Sequence, residues 1–169
     1  EGGFGNAIRT ASQIVANPSG VAAIRVTLSG FDTHANQPGT QSRLLGEVAN
    51  GLIALQQALI ELGKWDDTLI LTYAECGRRP KENQNNGTDH GHGSVYWVLG
   101  GGLSAQAGGR VVGEQQEVAQ ATLFQNRDYP VLNEYRAVFG GLFKRMYGLS
   151  PAQLARVFDG VAPKDLQLI

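Results

Sequence analysis

An α/β fold is what this 169-residue sequence predicts. Three features carry the prediction: amphipathic helical stretches, short apolar strand-like stretches, and one long helical stretch flanked by two of the latter. A helix between two buried strands implies a right-handed βαβ crossover and a parallel sheet.

The elements follow in order. Ala7, Ile8, Ala11, Ile14 and Val15 recur at helical spacing and predict a helix over residues 6–16, which Asn17-Pro18-Ser19-Gly20 stops. Ile24, Val26 and Leu28 alternate with Arg25 and Thr27, the period-two pattern of a strand. A long helix is expected from about Gln41 to Leu62, because Leu45, Val48, Leu52, Leu55, Leu59 and Leu62 form one apolar stripe. Gly63 stands where a C-terminal cap belongs. Residues 68–73 are short and apolar and read as a buried strand, and Val95 to Leu99 as a third, running into Gly100-Gly101-Gly102. A further helix spans about Glu134–Tyr147, with Tyr135, Val138, Phe139, Leu142, Phe143 and Met146 on one side. Ser150-Pro151 then reads as an N-cap with proline at the first helical position, opening a short helix to about Phe158. No repeat or linker divides the chain, so residues 1–169 are expected to form a single domain.

Composition narrows the function. Hydrophobic residues are 42% and charged residues 17%, which favours a globular chain over a disordered one. Fourteen Lys and Arg against fifteen Asp and Glu leave a net charge of −1, without the basic excess a nucleic-acid binder needs. No apolar run approaches the ~18 residues of a membrane span, so no membrane insertion is expected. Cys76 is the single cysteine, which excludes an internal disulfide and any multi-cysteine metal site.

The chemistry-bearing residues collect at the predicted strand ends, where open α/β sheets bind ligands. Asp32 and His34 follow the first strand, and Glu75, Arg78 and Arg79 the second. Asp89, His90 and His92 precede the third, so all three histidines fall at one edge, beside aspartates. Histidine with carboxylate and without cysteine is the ligand set of a hydrolytic divalent-metal site. Residues i and i+2 of an extended segment point to one side, so Asp32 and His34 can share an ion. Asp89 and His90 can reach two ions from a loop, as a two-metal phosphoryl site would require. The same residues also read as Asx-type turn caps with exposed loop histidines. Arg78 or Arg79 can hold an anionic oxygen, and Glu75 can serve as general base; a solvated charged loop is the other reading of that segment. The glycines of residues 100–113 fit neither dinucleotide nor P-loop spacing, and no Gly-x-Ser-x-Gly elbow occurs.

Three ordered blocks carry a resemblance. Gly30-Phe31-Asp32-Thr33-His34, then Ala74-Glu75-Cys76-Gly77-Arg78-Arg79 with Glu82-Asn83 and Gly87-Thr88-Asp89-His90-Gly91, then Asp128-Tyr129 with Tyr135-Arg136-Ala137-Val138, resemble blocks of a bacterial family called domain of unknown function 1501. That family is related to the alkaline phosphatase and sulfatase superfamily. The resemblance implies a three-layer α/β/α sandwich, of which this chain would be the C-terminal portion, and hydrolysis of phosphate or sulfate esters. It implies one or two divalent ions (zinc, manganese or calcium) held by Asp32, His34, Asp89 and His90, with His92 as an extra ligand. Arg78 would steady the developing negative charge, and Glu75 would assist as base or ligand. The superfamily's nucleophile has no counterpart in residues 1–20, so no turnover is expected of this chain alone. A non-catalytic binding or assembly domain of the same fold is the alternative. Export signals in the family imply a periplasmic or extracytoplasmic setting. An exposed sheet edge would invite a homo-oligomer, and a small anionic ester is the expected substrate.

Overall fold

The computed structural model describes residues Gly2–Ile169 as two compact units. One runs through Thr68 and takes in Lys81–Asp89; the other comprises Leu69–Pro80 and His90–Ile169. Both are mixtures of helix and irregular chain, and among the described residues strands occur only in the second.

The first unit is built on two helices, α1 (Gly3–Val15) and α2 (Gln37–Glu61). Ile8 and Ala11 of α1 and Leu44, Gly51 and Leu59 of α2 are buried. Leu44 and Leu59 begin and end a line continued by Val48, Leu52 and Leu55, so the middle of the predicted stripe faces inward while its two ends, Leu45 and Leu62, are exposed. Helix contact is close at Gly51, where a Cβ would lie 2.5 Å from the Phe4 ring. The predicted C-terminal cap is present: Gly63 has φ +62°, its N–H donates to the Ile60 carbonyl, and the Lys64 N–H donates to that of Leu59. These two bonds satisfy carbonyls that a helix end otherwise leaves bare.

Helix α2 starts four residues before its expected beginning. Asn36 takes a left-handed conformation, and Pro38 occupies the first turn, where its missing N–H costs nothing. The orphan donors there find partners in the other stretch of the unit. Asn36 N–H donates to the Asn85 carbonyl (3.1 Å) and Gln37 N–H to that of Asn86 (2.8 Å).

The second unit holds β1 (Ile70–Thr72), β2 (Gly77–Arg78), β3 (His90–Gly91), β4 (Trp97–Leu99), α3 (Tyr135–Tyr147) and α4 (Pro151–Val157). β1 pairs with β4 in register Ile70↔Leu99, Leu71↔Val98, Thr72↔Trp97, and β2 pairs with β3 through Gly77↔Gly91 and Arg78↔His90. Both ladders are antiparallel and two-stranded. Two expectations are thereby corrected. The parallel sheet gives way to antiparallel pairs, because an apolar run marks a strand as buried without specifying its partner's direction. Residues 24–28 join no ladder among the described residues, although Val26 and Leu28 are half-buried and their neighbours exposed. Alternation selects faces, and a strand also needs a partner edge.

The core of this unit is Ala107, Leu142 and Leu168, surrounded by Leu69, Val98, Leu103, Val112, Leu166 and Ile169. The C-terminal segment reaches it by crossing α3 at two buried glycines. A Cβ on Gly141 would lie 2.1 Å from the Lys164 carbonyl oxygen, so that crossing needs glycine. Lys164 N–H donates to the Ala137 carbonyl, and Arg145 donates to Asp165 and to the Ile169 carbonyl. Ser150 and Gln153 close a reciprocal capping box at the start of α4, as the Ser-Pro pair predicts. The aromatic side of α3 packs ring against ring, with Phe139 touching Tyr73, Tyr96, Tyr135 and Phe143. Among the described residues no helix is long and apolar enough to cross a membrane.

Candidate metal centre

In the first unit, Asp32, His34 and Asp89 come together. The chain after Leu28 turns at Gly30 (φ +107°), where a Cβ would stand 3.3 Å from Leu44 Cδ1. Thr33 is buried, its N–H donating to the Phe31 carbonyl and its own carbonyl accepting from Thr88 N–H (3.2 Å). Burial of Thr33 leaves its two neighbours, Asp32 and His34, with accessible side chains. Asp32 is 69% exposed and His34 44%.

Both nitrogens of the His34 ring meet carboxylates. Nε2 lies 3.0 Å from Asp32 Oδ1, and Nδ1 lies 3.1 Å from Asp89 Oδ1. Asn83 braces the pair: its Nδ2 donates to the His34 carbonyl (2.9 Å) and to Asp89 Oδ1 (3.3 Å). Its Oδ1 meanwhile accepts the N–H groups of Asn85 and Gly87. Gly87 is buried against the His34 backbone, with a hypothetical Cβ only 2.4 Å from His34 C and O. A side chain at 87 would therefore push the turn away from His34. Thr88 Oγ1 donates to Gln37 Oε1, which fastens the same turn to the start of α2.

A histidine bearing a carboxylate on one nitrogen and a second carboxylate near the other is suited to a divalent cation. Metal-ligating imidazoles commonly donate their remaining N–H to a carboxylate, which fixes tautomer and ring orientation. Asp89 stands in that relation to Nδ1, and Nε2 shares its side with Asp32. Asp32 and His34 each offer a ligand atom that a metal ion accepts. The donors are carboxylate oxygen and imidazole nitrogen without thiolate, which suits zinc or manganese.

The second unit places the other predicted residues. Glu75 is exposed in the loop between β1 and β2. Arg78, in β2, stands opposite His90 in β3. Arg79 Nε is 3.5 Å from Asp128 Oδ1. His92 directs Nδ1 onto Asp128 Oδ2 at 2.7 Å. Cys76 is a half-buried free thiol.

Three contributors are absent from the sequence-derived site residues. Asn83 and Gly87 form the brace behind His34, and Asp128 is the buried partner of His92. The run Asn83-Gln84-Asn85-Asn86-Gly87 is a turn signal that could have identified the first two. Asp128 is separated from His92 by 36 residues, and no local pattern links them.

Compared with known proteins, residues 6–158 match the family described as Protein of unknown function (DUF1501). Searches of curated proteins and of solved structures returned no match.

Proposed function

The chain belongs to the DUF1501 family, and on that footing we propose that it supplies a divalent-metal site for the hydrolysis of phosphate or sulfate esters. The observation carrying the proposal is the His34 ring, held at Nδ1 by Asp89 and facing Asp32 at Nε2. Asp32 and His34 form the proposed ligand set, with Asp89 orienting His34 or adding a carboxylate oxygen to the set. A bound zinc, manganese or calcium would supply Lewis acidity toward an ester oxygen. Arg78 offers a guanidinium fork to the transferred anionic group, where fixed positive charge contributes most to catalysis. Glu75, exposed in the loop before β2, serves as the proton acceptor nearest Arg78 in the chain. The three-layer sandwich, with this chain as its C-terminal portion and an extracytoplasmic setting, belongs to the same proposal.

Metal content by mass spectrometry tests it, on protein purified without chelator or nickel. Near-stoichiometric zinc, manganese or calcium is expected, lost from His34→Ala and Asp89→Ala. Equal metal in both variants would remove these residues from the site. No metal in the wild-type chain or in a longer form would favour the other reading, a non-catalytic binding or assembly domain.

A further inference from the structure

The second unit contains an acid–histidine pair of another kind. Asp128 is completely buried, and His92 is 48% exposed. Arg127 grips the carboxylate with Nε on Oδ1 and Nη2 on Oδ2, both at 3.0 Å. Two N–H groups of one guanidinium on the two carboxylate oxygens are the bidentate fork of an ionised pair. An ionised carboxylate only accepts, so the Asp128 contact places a proton on His92 Nδ1. Nε2 is left with its lone pair, and among the described residues nothing bonds it.

The backbone holds this arrangement firmly. Gly93 N–H donates to the Tyr129 carbonyl (2.8 Å), tying the chain beside His92 to the chain beside Asp128. A Cβ on Gly93 would lie 2.7 Å from the Pro130 carbonyl oxygen, so the two segments touch at backbone distance. Asp128 is itself bridged to Phe124 by two backbone hydrogen bonds, and the Phe124 ring meets the His92 imidazole edge-on at 5.0 Å.

We propose that His92 is a catalytic general base for ester hydrolysis, acting through Nε2, and that Asp128 is its positioning residue. In the step, Nε2 takes a proton from a water molecule as the water oxygen bonds to the electrophilic carbon. The bond from that carbon to the leaving oxygen breaks with its electron pair, and the proton on Nε2 passes to the product alkoxide or to solvent. No metal or co-reactant enters, so the pair stands apart from the metal reading above.

The test uses the full chain with EDTA present, which removes any contribution from bound metal. Ring ¹⁵N spectra should show His92 with a protonated Nδ1 and bare Nε2, and Asp128→Asn should move it toward a tautomer mixture. Hydrolysis of p-nitrophenyl acetate should slow at least about tenfold in His92→Gln, a floor set below the roughly 10²–10⁴-fold that acid–base groups contribute. His92→Gln alters a half-exposed side chain, so its amide spectrum should remain that of a folded protein. An Nε2-protonated His92 in the wild type would overturn the positioning role. An unchanged ester rate in folded His92→Gln would overturn the catalytic one. Should Asp128→Asn fail to fold, the wild-type tautomer and the His92→Gln rate still decide both points.

Discussion

His34 and His92 both bond an aspartate through Nδ1, yet they differ in where the charge is buried. Around His34 the carboxylates are accessible, Asp32 at 69% and Asp89 at 43% exposed, and Asp89 Oδ1 accepts from Asn83. Around His92 the carboxylate is sealed from solvent and neutralised by Arg127. The accessible carboxylates stand open to solvent and to a cation arriving from it, whereas the sealed one is clamped by arginine within the fold. One arrangement suits holding a metal, the other suits aiming a nitrogen. Histidine beside aspartate thus carries no single meaning, and the surroundings of the carboxylate decide it.

Perturbing one pair at a time sharpens the contrast. The largest effect is expected for His34→Ala, which should reduce zinc or manganese binding in titration calorimetry to baseline while leaving the His92 ring spectrum intact. Asp89→Asn keeps the shape and removes the charge, and should weaken metal affinity about 10–100-fold, as loss of an orienting partner does. Unaltered affinity in Asp89→Asn would show that Nδ1 needs no carboxylate. Gly87→Ala forces a Cβ against the His34 backbone, and overpacking of this kind costs about 1–3 kcal/mol. Denaturant melts should register that loss, and metal affinity should fall with it. The smallest effect is an acid dependence of the second unit. Because the Asp128 carboxyl is held below its ordinary range, its stabilisation is present above the unfolded value of about 3.9 and is lost as pH falls through the folded one. Thermal melts of wild type should decline below that pH more steeply than those of Asp128→Asn.

Helices were the most legible elements. Their periodicity, the Gly63 cap and the Ser150-Pro151 start are local signals, and each corresponds to an observed boundary within a few residues. Strands were less so: residues 68–73 and 95–99 contain β1 and β4, but the pairing direction and the two short strands β2 and β3 depend on contacts distant in sequence. The grouping of Asp32, His34 and Asp89 was readable because histidine and aspartate are the right donors at predicted strand ends. Asn83 and Gly87 escaped because their task is to press a turn against His34, 49 residues away in the case of Asn83.

By itself the sequence determined residue chemistry and local geometry: an Asp-x-His, an Asp-His pair, no cysteine cluster, and helices whose apolar stripes and caps are complete within a few turns. Only the tertiary structure decided which aspartate each histidine meets. Asp89 lies 55 residues from His34 and Asp128 lies 36 from His92. A side chain's neighbours at that separation are set by how the intervening chain packs, and burial then decides whether the carboxylate faces water or arginine.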